Sequence, residues 1–196
     1  YEWIHTDNPE RLLNMKFDVI ISNPPYQLDD GGNGASAKPI YQFFVEKAKF
    51  LNPRYMSMII PARWYAGGKG LDFFRHSMLN DKHIRELHDF SNASDCFSGV
   101  EIKGGVCYFL WCRDTEGLCR VSTHQGEKII SQMERVLLEN NTDTFIRHNK
   151  AISILHKVEK LNNGTFDTLV SPRKPFSFPS NFREYTKTRN EEHDIL

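Results

Sequence analysis

The segment Phe17-Asp18-Val19-Ile20-Ile21-Ser22 is a short run of strand formers, the pattern of a parallel-sheet strand buried on both faces. After a glycine-rich stretch, Ile40, Phe43, Phe44, Ala48 and Leu51 keep helical spacing, with Pro39 suited to the first turn and Asn52-Pro53 as the stop. Tyr55-Met56-Ser57-Met58-Ile59-Ile60 predicts a second buried strand, with that helix as its right-handed crossover. A second helix is predicted through Leu71, Phe74, Met78 and Leu79, followed by a strand over Ile84–Phe90. Gly104 to Cys112 is the strongest strand pattern of this half, and no helix separates it from the strand before. From about Thr123 the character changes. Two amphipathic helices are predicted, one through Ile129, Ile130, Met133, Val136 and Leu137, the other through Ala151, Ile154, Leu155, Val158 and Leu161. Asn140-Asn141-Thr142-Asp143 separates them, and Gly164 is placed to cap the second. The expectation is an α/β domain over residues 1–120 and a mainly helical connection over 121–196.

At the carboxyl end of the first strand stands Asn23-Pro24-Pro25-Tyr26. Ligands of open α/β sheets bind at such strand ends. Asn23 precedes a proline and is pushed to an extended conformation. Pro24 and Pro25 fix two torsions and remove two donors, which leaves carbonyls facing the site. An amide oxygen, a free carbonyl and an aromatic ring suit a planar base that carries an amino group. If the Asn23 side-chain oxygen and the Pro24 carbonyl accept the two amine hydrogens, the nitrogen lone pair turns out of the ring plane towards an electrophile. Tyr26 can stack on the base. Such catalysis is positioning and preorganised hydrogen bonding. The bland alternative is a Pro-Pro turn after a strand.

Composition narrows the partners. The 196 residues balance 25 basic against 25 acidic side chains, so nucleic acid would be held by local patches rather than a global field. No run has the apolar length of a membrane span and no signal-peptide pattern is present, so the expected location is the cytoplasm, with no membrane partner. Cys96, Cys107, Cys112 and Cys119 lack paired-ligand spacing and read as reduced thiols, and the histidines show no metal-ligand grouping.

The tetrapeptide and its setting resemble the adenine-specific DNA methyltransferases of restriction-modification systems. The resemblance implies S-adenosyl-L-methionine as cofactor, double-stranded DNA as partner, and an adenine flipped out of the duplex. The sheet it implies is Rossmann-like: parallel strands closed by a reversed β-hairpin, then a helical segment leading into a target recognition region. Asn23, Pro24, Pro25 and Tyr26 match the catalytic loop, with Asn23 also at the cofactor's edge. Asp7, in Trp3-Ile4-His5-Thr6-Asp7-Asn8, matches the acidic loop that contacts the cofactor's adenine; the alternative is an N-terminal segment capped by Asp7-Asn8-Pro9. Phe97, in Asp95-Cys96-Phe97-Ser98-Gly99-Val100, matches the aromatic residue stacked on the base opposite the tyrosine. Its alternative is a hydrophobic plug under the hairpin. The family's FxGxG loop is not found before Asn23, so the chain reads as the downstream part of a larger enzyme whose N-terminal part is a partner. An exposed sheet edge beside Phe17–Ser22 would then favour self-association.

Two further segments suit DNA. Arg63 and Lys69 lie among aromatics in Pro61–Gly70, where Trp64 and Tyr65 either meet bases or cap the core. Lys103 either reaches a phosphate or is simply solvated. Arg173, Lys174 and Arg183 lie in a proline-stiffened basic and aromatic run, which is either the start of target recognition or a linker packed by its phenylalanines. Residues 29–38 form a glycine-rich loop of the kind that closes over ligands. Two other functions stay open: an amino-methyltransferase of RNA guanine or protein glutamine, and a non-catalytic DNA-binding fragment.

Overall fold

The computed structural model describes residues 16–28, 38–161 and 166–171. Asp7, Arg173, Lys174, Arg183 and most of the glycine-rich loop lie outside these residues. The chain divides into two compact units, Tyr1–Ile154 and Leu155–Leu196.

The first unit is built on one mixed sheet. Its elements in chain order are β1 (Val19–Ser22), α1 (Tyr41–Phe50), β2 (Tyr55–Pro61), α2 (Asp72–Leu79), β3 (Ile84–Phe90), β4 (Val106–Cys112), β5 (Cys119–Gln125), β6 (Lys128–Arg135) and α3 (Asn149–Glu159), the last running on into the second unit. The strands lie in the order β1-β2-β4-β3-β5-β6. β1 and β2 are parallel, with α1 as the predicted crossover. β4 inserts between β2 and β3, antiparallel to both, and this is the reversed hairpin expected from two consecutive strands. β5 returns parallel to β3, and β6 pairs antiparallel with β5.

The register brings the carboxyl ends of β1, β2, β3 and β5 to one edge, together with the start of β4. Pro61 pairs with Val106, and Val106 with Phe90. Gly105 makes that close approach possible: its φ is +81°, and a Cβ there would collide with the Phe90 and Ser91 carbonyl oxygens. The main core lies between the sheet and its helices, around Tyr41, Val45, Met56, Ile60, Trp64, Phe74, Leu87 and Phe109.

Two expectations are corrected. Residues 129–137 were expected as a helix, yet Ile129, Ile130 and Met133 lie in β6, and Val136-Leu137 follow it. A two-residue turn at Gly126-Glu127, with Gly126 at φ +58°, folds this strand back on β5. The β-branched pair Ile129-Ile130 suits a strand, and pairing with β5 overrides the helical spacing. Nor is β1 buried on both faces: Val19 is 51% and Ile21 80% exposed. Among the described residues β1 pairs with β2 alone and is an edge of the sheet. In the second unit, the end of α3 and a short 3-10 turn (Phe166–Leu169) leave Leu161, Phe166 and Leu169 exposed.

Candidate functional site

Asn23 stands exposed just beyond β1, Pro24 is buried and Pro25 exposed, while Tyr26 is half-buried and packs against the main core. The main chain after the corner is fixed by a clasp. The Ile40 amide donates to the Tyr26 carbonyl at 3.1 Å and the Leu28 amide to the Lys38 carbonyl at 3.3 Å, with Gln27 and Pro39 bridged between them. The clasp pins Tyr26 to the start of α1.

The Tyr26 hydroxyl is buried and has no hydrogen-bond partner. Burial, with smaller contributions from the Cys107 and Cys96 sulfurs, pushes its pKa up to about 12. The ring therefore stays neutral with an O–H free to donate. A buried donor without a partner is costly to the fold.

Tyr26 opens onto a cleft of about 360 Å³, within the ~300–1,000 Å³ usual for small-ligand sites. Its other walls include Pro61, Arg63, Lys69, Glu101, Ile102 and Lys103. The fold thus brings three basic residues singled out in the sequence, from two separate loops, around the tyrosine of the Pro-Pro corner. All three are exposed. Lys69 is held there by an unusual backbone. Gly67, Gly68, Lys69 and Gly70 all have positive φ, and at +52° Lys69 is a rare non-glycine in that region. The loop is braced from α2, where Asp72 accepts from the Gly68 amide at 3.1 Å and Arg75 donates to the Ala66 carbonyl at 2.7 Å.

Other predicted residues stand apart. Asn23 is not a wall of this cleft but flanks it at the strand end. Phe97 is half-buried against Phe90, Ala93 and Val106; Ile102, packed on the same cluster, is what faces the cleft. Trp64 is fully buried and meets Tyr65 and Phe74 edge-on, so Trp64 and Tyr65 are core, not base-contacting surface. The four cysteines are free, and burial pushes Cys107 and Cys119 up to about 12, which makes both inert thiols.

One pair went unnoticed in the sequence. Asp89, fully buried near the end of β3, accepts two bonds from Arg147, at 2.6 and 2.8 Å. Arg147 also donates to the Gly104 carbonyl at 2.8 Å and lies 5.6 Å over the Tyr65 ring. Burial opposes its charge, but the Asp89 carboxylate outweighs burial and the guanidinium pKa rises. The pair ties the segment after β6 to the site's edge. The signal in the sequence was Asp89 itself, an acid between strand positions that face the core.

A cavity of about 400 Å³ lies at the opposite ends of the strands. Two of its charged groups are already engaged, Asp81 with Lys49 and Trp111 and Arg135 with Asn149. Among the described residues no three of His, Cys, Asp or Glu group to hold a metal, and no helix is long and apolar enough to cross a membrane.

Residues 1–97 match the model of the Eco57I restriction-modification methylase family. Over 138 residues the chain is 41% identical to an uncharacterized adenine-specific methylase of Mycoplasma pneumoniae, covering 65% of this chain and 33% of that protein. The chain therefore spans about a third of the length of this curated relative. Among solved structures it is similar to the methyltransferase subunit of a type I restriction-modification system from Streptococcus thermophilus, with 12% identity, a TM-score of 0.41, and coverage of 76% of this chain and 33% of that one. It is also similar to a chain of a DrdV–DNA complex, with 13% identity, a TM-score of 0.43, and coverage of 61% and 16%.

Proposed function

We propose that this chain, whose residues 1–97 match the model of the Eco57I restriction-modification methylase family, carries the acceptor side of an adenine-specific DNA methyltransferase. The observation that carries this reading is Tyr26. Tyr26 is partly exposed and lines a cleft with Arg63, Lys69 and Lys103, beside the asparagine and prolines of the same loop. The substrate is double-stranded DNA, from which an adenine is extruded because its amine is unreachable in the stack. The Asn23 side-chain oxygen and the Pro24 carbonyl accept the two amine hydrogens and turn the nitrogen lone pair out of the ring plane. Tyr26 stacks on the base, contributing ~1–3 kcal/mol against an extrusion cost of a few kcal/mol. Stacking by Phe97 on the opposite face requires its ring to turn away from Phe90, Ala93 and Val106.

A methylase needs a methyl donor, and S-adenosyl-L-methionine, which carries its methyl on a sulfonium, is the one we assign. The residues present suit the acceptor side of such a transfer, with neutral oxygens and a neutral phenol. For the donor side, the described residues supply only Asn23; Asp7 is the further candidate. Arg63, Lys69 and Lys103 are assigned to DNA phosphates, and Arg173, Lys174 and Arg183 to the start of target recognition.

The test is transfer of labelled methyl groups by the longer enzyme that contains this chain, offered duplex DNA, RNA and protein side by side. Label at N6 of adenine in the duplex is expected. Label confined to RNA guanine or protein glutamine would overturn the assignment.

A further inference from the structure

Arg63 and Lys103 belong to two clefts at once. Besides the one Tyr26 opens onto, they line a neighbouring cleft of about 460 Å³, whose far wall is Thr144, Phe145 and Arg147. Ala66, Gly67 and Gly104 contribute mostly main chain to it. Arg63 and Lys103 thus form the ridge between the two.

The charge of the second cleft is one-sided. Arg147 is balanced by Asp89, and no carboxylate is among the walls, whereas Glu101 stands in the first cleft. Arg63 and Lys103 are both exposed, and the ion-paired acids of the described residues are held by other cations. Two free cations on a ridge suit one anionic group shared between the spaces on either side. Tyr65 and Phe145, 4.5 Å apart, are each only 6% exposed, so they give the second cleft a firm floor rather than an open ring to stack on. A ligand there is held by charge and shape.

We propose that the second cleft holds the nucleotide adjoining the extruded adenine on the same strand, with the phosphodiester between them seated on Arg63 and Lys103. This rests on the adenine-DNA reading of the first cleft. It means that the strand leaves its stack over two nucleotides, so that the step beside the target contributes to selection through its ease of deformation.

The test is calorimetry with this chain and two probes, deoxyadenosine 3′-monophosphate and a dinucleotide of deoxyadenosine followed by a second nucleotide. The dinucleotide is expected to bind at least tenfold more tightly. Ala66→Trp, an exposed position that lines only the second cleft, should abolish that advantage, as should Arg63→Ala combined with Lys103→Ala. Lys82→Ala, at the far end of the sheet, should keep it. Equal affinity for the two probes, or an undiminished advantage in Ala66→Trp with an unaltered circular dichroism spectrum, overturns the proposal. Tyr26→Ala separates it from the first-cleft reading. Loss of monophosphate binding in Tyr26→Ala, with no effect of Ala66→Trp, sinks the second cleft alone. The reverse pattern sinks the base-stacking role and leaves the second cleft standing.

Discussion

Asn23 and Tyr26 sit three residues apart, and their environments assign them different work. Asn23 is exposed at a strand end and touches little, so its replacement costs the fold little. Its proposed hydrogen bonds matter most when the amine nitrogen rehybridises, a gain realised in the transition state rather than in binding. Asn23→Ala in the longer enzyme should therefore lower kcat by a factor of ~10²–10³, comparable to loss of one preorganised donor elsewhere, with DNA affinity changed less than about threefold. Single-turnover methylation and a binding titration on the same variant check this; near-normal turnover would refute the role. Tyr26 contributes differently, by a ring held between the core and the cleft. Its neighbour across the cleft, Lys69, shows how far the backbone is bent to present one charge. A left-handed lysine between glycines is a conformation paid for elsewhere, here through the Asp72 and Arg75 braces.

Among the elements, the turn into β4 is the tightest constraint. Gly105→Ala forces a methyl group into the Phe90 and Ser91 carbonyls and strains a positive φ, and should destabilise the first unit by about 2 kcal/mol or more, measured by denaturant unfolding. Across β3 and β5, the His88 Nδ1 and His124 Nε2 lie 2.9 Å apart, with Glu86 3.4 Å from the other side of His88. Burial, reinforced by His88, lowers the His124 pKa from its ordinary 6.5, and Asp89 opposes this only in part. The folded state then resists a proton that the unfolded chain accepts. Stability is full above about pH 6.5 and falls as the pH drops through the lowered value. His124→Gln should flatten that slope in a pH series of thermal melts. The elements from α1 to β4 were legible because apolar runs and helical spacings largely agree with their final burial, whereas β1 was legible as a strand but not in its burial. β5 was not, because Ser122, Thr123 and His124 are polar and yet buried between β3 and β6. No local pattern announces a strand in which Ser122 is bonded by Gln132 and His124 by His88, partners on the neighbouring strands. In the site, Asn23 to Tyr26 and the basic trio were readable from their loops. Asp89–Arg147 was not, because its partners are 58 residues apart.

For the molecule as a whole, the exposed β1 edge is the chief liability. Ile21 at 80% exposure and Val19 at 51% flank a strand with one side unpaired among the described residues, a surface that templates association. Ile21→Lys should reduce concentration-dependent association of the isolated chain in sedimentation velocity, while a wild-type chain that stays monomeric throughout would dispose of the idea. The opposite edge, β6, also carries exposed Ile129 and Ile130. Both margins of the sheet are apolar, and the cleft edge lies between them.

The clasp at Tyr26–Ile40 and Leu28–Lys38 has a use in protein engineering. Because Leu28 and Lys38 are bonded to each other, the two ends of the span between them are held together, which suits it to exchange. Doubling its length costs only ~0.6 kcal/mol in closure entropy. A reporter peptide spliced there begins in sequence just after Leu28, two residues from Tyr26, and leaves in place the Ile40 amide that holds the Tyr26 carbonyl.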